Sequence, residues 1–153
     1  ERTFRRKKDA EELSCGFEEY LKLPDNFNSY KVFIPKANGS GLFGETLGEP
    51  IIGEPRYGHN TTFLSVGNFA TFDEASACLK YIKTKFARTM LGIRKVTQES
   101  SKRVWEFVPN QDFSVNSDID WSLSIPEIDQ QLYRKYNLQD YIEFIEETVK
   151  PME

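Results

Sequence analysis

The side chains most able to act together chemically are the cations of residues 79–103. This stretch contains eight lysines and arginines and one anion, Glu99, so its formal charge is +7, whereas the whole chain carries −4. The eight cations are Lys80, Lys83, Lys85, Arg88, Arg94, Lys95, Lys102 and Arg103. Because concentrated positive charge attracts polyanions even when the rest of a protein is acidic, the stretch predicts anchoring to the phosphates of double-stranded DNA.

Polar and basic side chains on two loops, 36–60 and 97–103, are of the kinds that read base edges. Guanidinium, ammonium and amide groups match the hydrogen-bonding patterns that bases display in the grooves of DNA. The candidates are Lys36, Asn38, Arg56, His59, Asn60 and Gln98. Since phosphate contacts position a protein and base contacts give it specificity, the two sets together predict sequence-specific DNA recognition.

Catalytic and metal-binding patterns of the common kinds are missing from the sequence. His59 is the one histidine, so a histidine-based metal cluster or a nucleophilic triad lacks its parts. The sequence also has no acid-x-Lys pair of a Mg²⁺-dependent nuclease, no Gly-Lys-Ser/Thr phosphate loop and no Asn/Asp-Pro-Pro-Tyr motif of amino-group DNA methyltransferases. We therefore predict that this chain has no catalytic residues, metal site or cofactor of its own.

Composition predicts a globular chain. Hydrophobic residues make up 39% of it and aromatic residues 14%, which is enough to build a core. No apolar run approaches the about 20 residues that a membrane-spanning helix needs. Cys15 and Cys78 are far apart in ordinary contexts, which is typical of free thiols in a reducing compartment. We therefore expect a cytoplasmic protein with no membrane partner.

The chain is predicted to be one domain preceded by a short lead-in. Residues 1–24 combine a basic run with an acidic one and are expected to be partly disordered, whereas residues 25–153 form a single α+β DNA-recognition domain. The first residue is Glu1 instead of Met, so we expect a fragment of a longer protein. Residues 110–153 contain ten acids and three bases, and this acidic end offsets the basic middle.

Hydrophobic periodicity predicts the elements that position these side chains. Strands are expected at 30–35, around 51–52, at 61–69 and at 104–108. A capping box at Thr71 and Glu74 begins an amphipathic helix that runs from 73 to 92–94, with its cations on the polar side. A second capping box, at Ser124 and Glu127, begins a helix that ends near 136, and a third helix covers 139–149. The predicted fold class is α+β: a small, mostly antiparallel sheet packed on one long amphipathic helix and followed by two C-terminal helices.

Several linked segments of the chain resemble a known family. They are residues 30–41, 62–69, 74–75, 81–88, 94–98, 107–113 and 132–138. In this order they are similar to the C-terminal target-recognition, or specificity, region of bacterial restriction-modification enzymes with a Taq-type DNA adenine methyltransferase core. The resemblance covers roughly residues 28–150 and consists of many short matches instead of one diagnostic motif.

The resemblance implies a function and a set of partners. It implies a sequence-specific DNA-binding domain of a type II, methyltransferase-fused enzyme that is non-catalytic by itself. Methyl transfer and cleavage would then belong to the methyltransferase or nuclease portion of the same protein. The implied parent is a restriction endonuclease and DNA adenine-N6 methyltransferase that uses S-adenosylmethionine, with Mg²⁺ as an open second cofactor.

Two other interpretations stay open at the level of sequence. In the first, the chain is a non-enzymatic protein-interaction module whose basic helix face docks on an acidic partner. In the second, it is a nuclease or another enzyme with an unfamiliar site. Binding to random duplex DNA, and cleavage in the presence of a metal ion, separate these interpretations from DNA recognition.

Overall fold

The computed structural model describes residues 23–37, 42–94 and 102–152. Most of the predicted lead-in lies outside these ranges. So do Cys15 and three predicted DNA-contacting residues, Asn38, Lys95 and Gln98. Within the described ranges, no helix is long and apolar enough to cross a bilayer.

The described chain folds as α+β, with a three-stranded antiparallel sheet and five α-helices. The strands are β1 (Tyr30–Pro35), β2 (Ile51–Gly53) and β3 (Phe63–Phe69), in the spatial order β2-β1-β3. The helices are α1 (Phe72–Lys83), α2 (Lys85–Arg94), α3 (Lys102–Trp105), α4 (Ile125–Lys135) and α5 (Ile142–Thr148). A short 3-10 turn, Gln139–Tyr141, leads into α5.

The predicted strand at 30–35 is confirmed as the central strand, and both of its faces are covered. Val32 and Ile34 point into a core shared with the helices. On the other face Phe33 is buried against the His59 ring, with 5.0 Å between ring centroids. Lys31 is also buried there, and its Nζ donates to the carbonyl of Phe27 at 2.9 Å. Burial therefore continues along the strand instead of alternating.

The predicted strand at 61–69 is confirmed as β3, and Gly67 marks an irregularity in it. The register between β1 and β3 shifts by one residue between Tyr30 and Val32. Gly67 has a φ of 87°, and the ring of Phe69 occupies the space that a Cβ would take. An extra residue with positive φ is the usual arrangement of a glycine bulge, so a glycine is required here.

The predicted long helix is wrong in one respect, because the structure breaks it at Thr84. Thr84 has an extended ψ of 148°, yet its N–H still bonds the carbonyls of Lys80 and Tyr81 and so closes α1. Its hydroxyl then accepts from the N–H of Ala87 at 3.1 Å, which caps α2. A threonine can satisfy backbone groups on both sides of a break in this way, and helical periodicity alone does not reveal it.

The predicted strand at 104–108 is also wrong, because this segment contains the short helix α3 followed by a turn. Val104, Trp105 and Val108 pack partly buried against the sheet-side core, while Glu106 and Phe107 are exposed. The inward residues thus stand at positions i, i+1 and i+4, which is helical spacing and not the alternation of a strand.

The helix pair α1 and α2 separates two hydrophobic cores. On the sheet side, Val32 and Ile34 cluster with Cys78, Ile82 and Leu91. On the other side, side chains of both helices pack against the two C-terminal helices, and the buried members of this core are Tyr81, Phe86, Ala87, Ile119, Ile128, Leu132, Tyr133, Ile145 and Val149. The structure therefore has three layers, with α1 and α2 in the middle.

Replacement of Gly67 by alanine is expected to lower the free energy of unfolding by about 2 kcal/mol. The added Cβ would lie 2.0 Å from the Phe69 ring, at a positive φ that L residues rarely adopt. Gly58→Ala is the matched control, because a Cβ there meets no atom within 4 Å. Urea unfolding followed by tryptophan fluorescence measures both variants, and equal losses would contradict the role of Gly67.

Candidate nucleic-acid interface

Lys80 lies on α1, and its ammonium group is hydrogen-bonded to carbonyls of the same chain. Its Nζ donates to the carbonyls of Trp121 and Leu123 at 2.9 Å and to that of Ser122 at 3.3 Å. These three carbonyls belong to the turn that leads into α4. Trp121 itself is held by its indole N–H, which donates to the Asp112 carbonyl at 2.9 Å. Lys80 therefore fixes the start of the C-terminal helices.

Lys83 and Lys85 are paired with acids of the same chain. Lys83 is buried, and its Nζ lies 2.6 Å from the Glu49 carboxylate. Lys85 Nζ lies 2.6 Å from the Glu146 carboxylate on α5 and also donates to the Glu146 carbonyl at 2.9 Å. Both charges are thus neutralised where they stand.

Arg88 is the most deeply buried of the predicted phosphate contacts, with 3% of its surface exposed. Its Nε donates to the carbonyls of Lys83 and Thr84 at 3.2 and 3.3 Å, and its Nη1 reaches the Glu45 carbonyl at 3.5 Å. Burial lowers the pKa of this guanidinium. The structure therefore corrects the expectation that Arg88 lies on an exposed basic face: the break at Thr84 turns it into the core.

Three other predicted phosphate contacts remain exposed, and we call them the helix-end cations: Arg94, Lys102 and Arg103. Arg94 ends α2, and its guanidinium carbon lies 3.9 Å from the centroid of the Phe107 ring, a cation–π contact. Lys102 and Arg103 begin α3, and within the described ranges neither side chain has a hydrogen bond or an ion pair. Their charges are available to an external anion.

Three of the predicted base-reading residues, Lys36, His59 and Asn60, meet at one end of the sheet, and we call them the sheet-end group. The N–H of Lys36 donates to the Thr62 carbonyl at 2.9 Å, and the Asn60 side-chain oxygen accepts from the Thr62 N–H at 3.0 Å. His59 Nδ1 lies 2.7 Å from the Asn60 carbonyl. Because a carbonyl only accepts, Nδ1 is the donor in this contact.

Arg56 does not join the sheet-end group. Its N–H bonds the Phe27 carbonyl at 2.7 Å, near the other end of β1, where Gly53 pairs with Lys31. Its φ is 68°, a left-handed conformation that is uncommon for arginine. The described members of the predicted base-reading set are therefore divided between the two ends of the sheet.

A cleft of about 1020 Å³ among the described residues is acidic. Its charged lining residues are Asp73, Glu74, Asp118, Asp120 and Lys80. Asp118 pairs with Lys135 at 2.8 Å, and hydrogen bonds from Ser122 lower the pKa of Asp120. No group of three or more His, Cys, Asp or Glu residues in the described ranges could hold a metal ion. Negative charge makes this cleft unfavourable for a phosphate backbone.

Asp129 on α4 is a buried acid that the sequence analysis does not identify as a candidate. Its two carboxylate oxygens accept from the N–H groups of Lys85 and Phe86 at 3.0 and 2.8 Å, so it caps the first turn of α2. Burial raises the pKa of Asp129 to about 6, against the opposing effect of these two bonds and of Arg88. An acid near the middle of an amphipathic helix gives no local signal of such a contact.

Cys78, a potentially reactive side chain, also has a structural position. Cys78 is a free thiol, as predicted, but it is buried and burial raises its pKa to about 12, so it stays protonated at neutral pH. The arrangement can bind an anion at the helix-end cations and offer hydrogen bonds at the sheet-end group.

Comparison with known proteins finds no matching family model, no matching curated protein and no matching solved structure.

Lys80→Met is expected to lower the free energy of unfolding by about 2 kcal/mol, because three carbonyls lose a charged donor while the aliphatic stem is kept. Lys102→Met is the control, since Lys102 is exposed and has no partner in the described chain. We expect it to change stability by less than about 0.5 kcal/mol. Chemical denaturation of both variants shows whether the hydrogen bonds of Lys80 stabilise the fold.

Asp129→Asn is expected to remove a pH-dependent part of the stability. The pKa of Asp129 is about 6 in the folded protein against an ordinary 3.8. The folded state therefore binds the proton more tightly, and this contribution is complete below about pH 4 and lost as the pH rises through 6. The difference in unfolding free energy between wild type and variant should fall by about 2–3 kcal/mol over this range. A difference that stays constant with pH would contradict the assignment.

Proposed function

We propose that the chain is a sequence-specific DNA-binding domain, the target-recognition part of a methyltransferase-fused type II restriction-modification enzyme. The observation that carries the proposal is the exposure of Lys102 and Arg103 beside Arg94, without partners in the described chain for the first two. The family resemblance of residues 28–150 points in the same direction. In this proposal the chain selects the site, and chemistry belongs to the rest of the parent protein.

The proposed DNA contact is smaller than the sequence alone predicts. Lys80, Lys83, Lys85 and Arg88 have intramolecular partners, so a phosphate contact from any of them would require breaking those bonds. The phosphate contacts proposed here are the helix-end cations together with Lys95, which follows Arg94 in sequence. With three or four phosphates neutralised, the logarithm of affinity should fall with the logarithm of salt concentration with a slope of about −3 to −4.

Base reading is proposed for the sheet-end group. Lys36 can donate to guanine, the Asn60 amide can pair with adenine, and the exposed His59 ring offers a further hydrogen-bonding group. Asn38 and Gln98 belong to the same proposal on sequence grounds. Phosphate contacts at α3 would set the orientation, and contacts from this group would supply the discrimination.

The distribution of acids favours an oriented complex. The cleft between α1 and the 113–122 segment carries four carboxylates, and α5 carries three glutamates. A polyanion is repelled by these surfaces and attracted to the helix-end cations, so the domain would approach DNA from one direction.

A protein-interaction function through the basic helix face is less well supported. That interpretation needs the α1 and α2 cations to face an acidic partner, but Lys85 already pairs with an acid of α5 and Arg88 is buried. An acidic partner would have to displace the domain's own contacts.

The first test is fluorescence anisotropy of a labelled duplex at salt concentrations from about 50 to 200 mM. We expect micromolar or weaker binding to random duplex at low salt, with affinity falling steeply as salt increases. A duplex containing the recognised site should bind at least about 10³-fold more tightly. Absence of binding at low salt, or binding independent of salt, would overturn the proposal.

The second test is the double substitution Lys102→Gln and Arg103→Gln. We expect the slope of log affinity against log salt concentration to decrease in magnitude by about 2, because each substitution removes one phosphate contact. The matched control is Arg134→Gln with Lys150→Gln, which changes the net charge equally but removes exposed cations from the acidic C-terminal part. Equal losses in the two variants would show a non-specific charge effect and contradict a local DNA surface.

A further inference from the structure

An open apolar groove of about 390 Å³ lies between α2 and the C-terminal segment that contains the 3-10 turn and α5. We call it the apolar groove. Its main lining residues are Phe43, Met90, Ile93, Leu138, Tyr141 and Phe144. Ile93, Tyr141 and Phe144 are 63%, 59% and 55% exposed. Single exposed apolar side chains are ordinary, but several that converge on one concave surface mark a site for another molecule.

The floor and one end of the apolar groove are fixed by packing. Ile145 is buried beneath it. The Phe43 ring lies against Gly92, where a Cβ would come within 2.7 Å of the ring. Gly44 follows with a φ of 81° and closely approaches the Thr148 carbonyl, where a Cβ would lie 2.3 Å from the oxygen. The shape is therefore set by backbone contacts, and a ligand would not have to form it.

The two walls of the groove are helical segments. Ile93 lies on α2, Tyr141 in the 3-10 turn and Phe144 on α5. An amphipathic helix that lays its apolar stripe into a groove is a common mode of peptide recognition. Such a ligand would place apolar residues at i, i+3 or i+4, and i+7 against Ile93, Tyr141 and Phe144.

The charges beside the groove indicate which kind of helix it would bind. The α5 wall carries four acids, of which Glu146 is paired with Lys85. Asp140, Glu143 and Glu147 are exposed. Glu147 stands three positions after Phe144 on α5 and shares its face of the helix, and Asp140 precedes Tyr141 in the 3-10 turn. The nearest cation in sequence on the opposite wall, Arg94, is stacked on Phe107. One rim of the groove is therefore negative.

We propose that the apolar groove binds a basic amphipathic helix of a partner polypeptide. Its apolar stripe would cover the exposed side chains of α2 and α5, and lysines or arginines on one flank would pair with Asp140, Glu143 and Glu147. The proposal is independent of DNA binding, because the groove and the helix-end cations share no residue.

The experiment uses two labelled synthetic peptides of about 18 residues, or five helical turns. One has leucine at the stripe positions and lysine elsewhere, and the other has glutamate in place of lysine. Fluorescence anisotropy with the full chain should show binding of the lysine peptide that is at least about 10-fold tighter than that of the glutamate peptide, a difference that decreases with salt.

Two variants locate the binding. Ile93→Ser with Phe144→Ser should weaken binding of the lysine peptide at least about 10-fold, since both side chains are exposed and their loss leaves the core intact. Glu143→Gln with Glu147→Gln should reduce affinity several-fold and flatten its salt dependence. The control is Val115→Ser, a fully exposed apolar residue elsewhere on the surface, which should change nothing.

Three outcomes would overturn the proposal. They are equal binding of the two peptides, unchanged binding in the groove variants, and a dimer in sedimentation velocity that Ile93→Ser with Phe144→Ser abolishes. The last would assign the groove to a second copy of the chain. DNA binding by the groove variants should equal that of the wild type, so failure here is distinguishable from failure of the DNA proposal.

Discussion

The break between α1 and α2 is the constraint on which the rest of the structure depends. Thr84 ends one helix and caps the next, and Asp129 accepts from the first two N–H groups of α2. These contacts join the middle layer to α4. Because the second helix starts in a new direction, it can pack on the C-terminal helices, turn Arg88 inward and form a wall of the apolar groove.

The same break explains why a basic sequence does not become a basic face. Charged side chains near a junction of several elements find backbone carbonyls and carboxylates close by, as Lys80 and Lys85 do. Once partnered, they stabilise the assembly of layers and are no longer available to a ligand. Among the described cations of residues 79–103, those beyond the junction, at the end of α2 and on α3, are the exposed ones. The proposed DNA surface is therefore local, and it shares no residue with the acidic cleft or the apolar groove.

The sequence predicted well those features that depend on neighbouring residues. The strand at 30–35 and the capping box in which the Glu127 carboxylate accepts from the Ser124 N–H at 3.0 Å are local, and both are confirmed. The segment at 104–108 was predicted wrongly because its apolar residues fit a strand and a helix equally in so short a run. For the candidate site, residue types were readable, but whether a cation is free or paired was not. Asp129 was missed because its partners lie more than forty positions away.

What the sequence by itself determined is the α+β class, the central strand, the caps of two helices and the uneven distribution of charge. These follow from steric preference, periodicity and composition, which act over a few residues. Only the tertiary structure decided which cations are engaged, where the base-reading candidates meet and that α2 and α5 leave a groove between them. The reason is that pairing, burial and concavity depend on distances between segments remote in sequence, and those distances are set by how the layers pack.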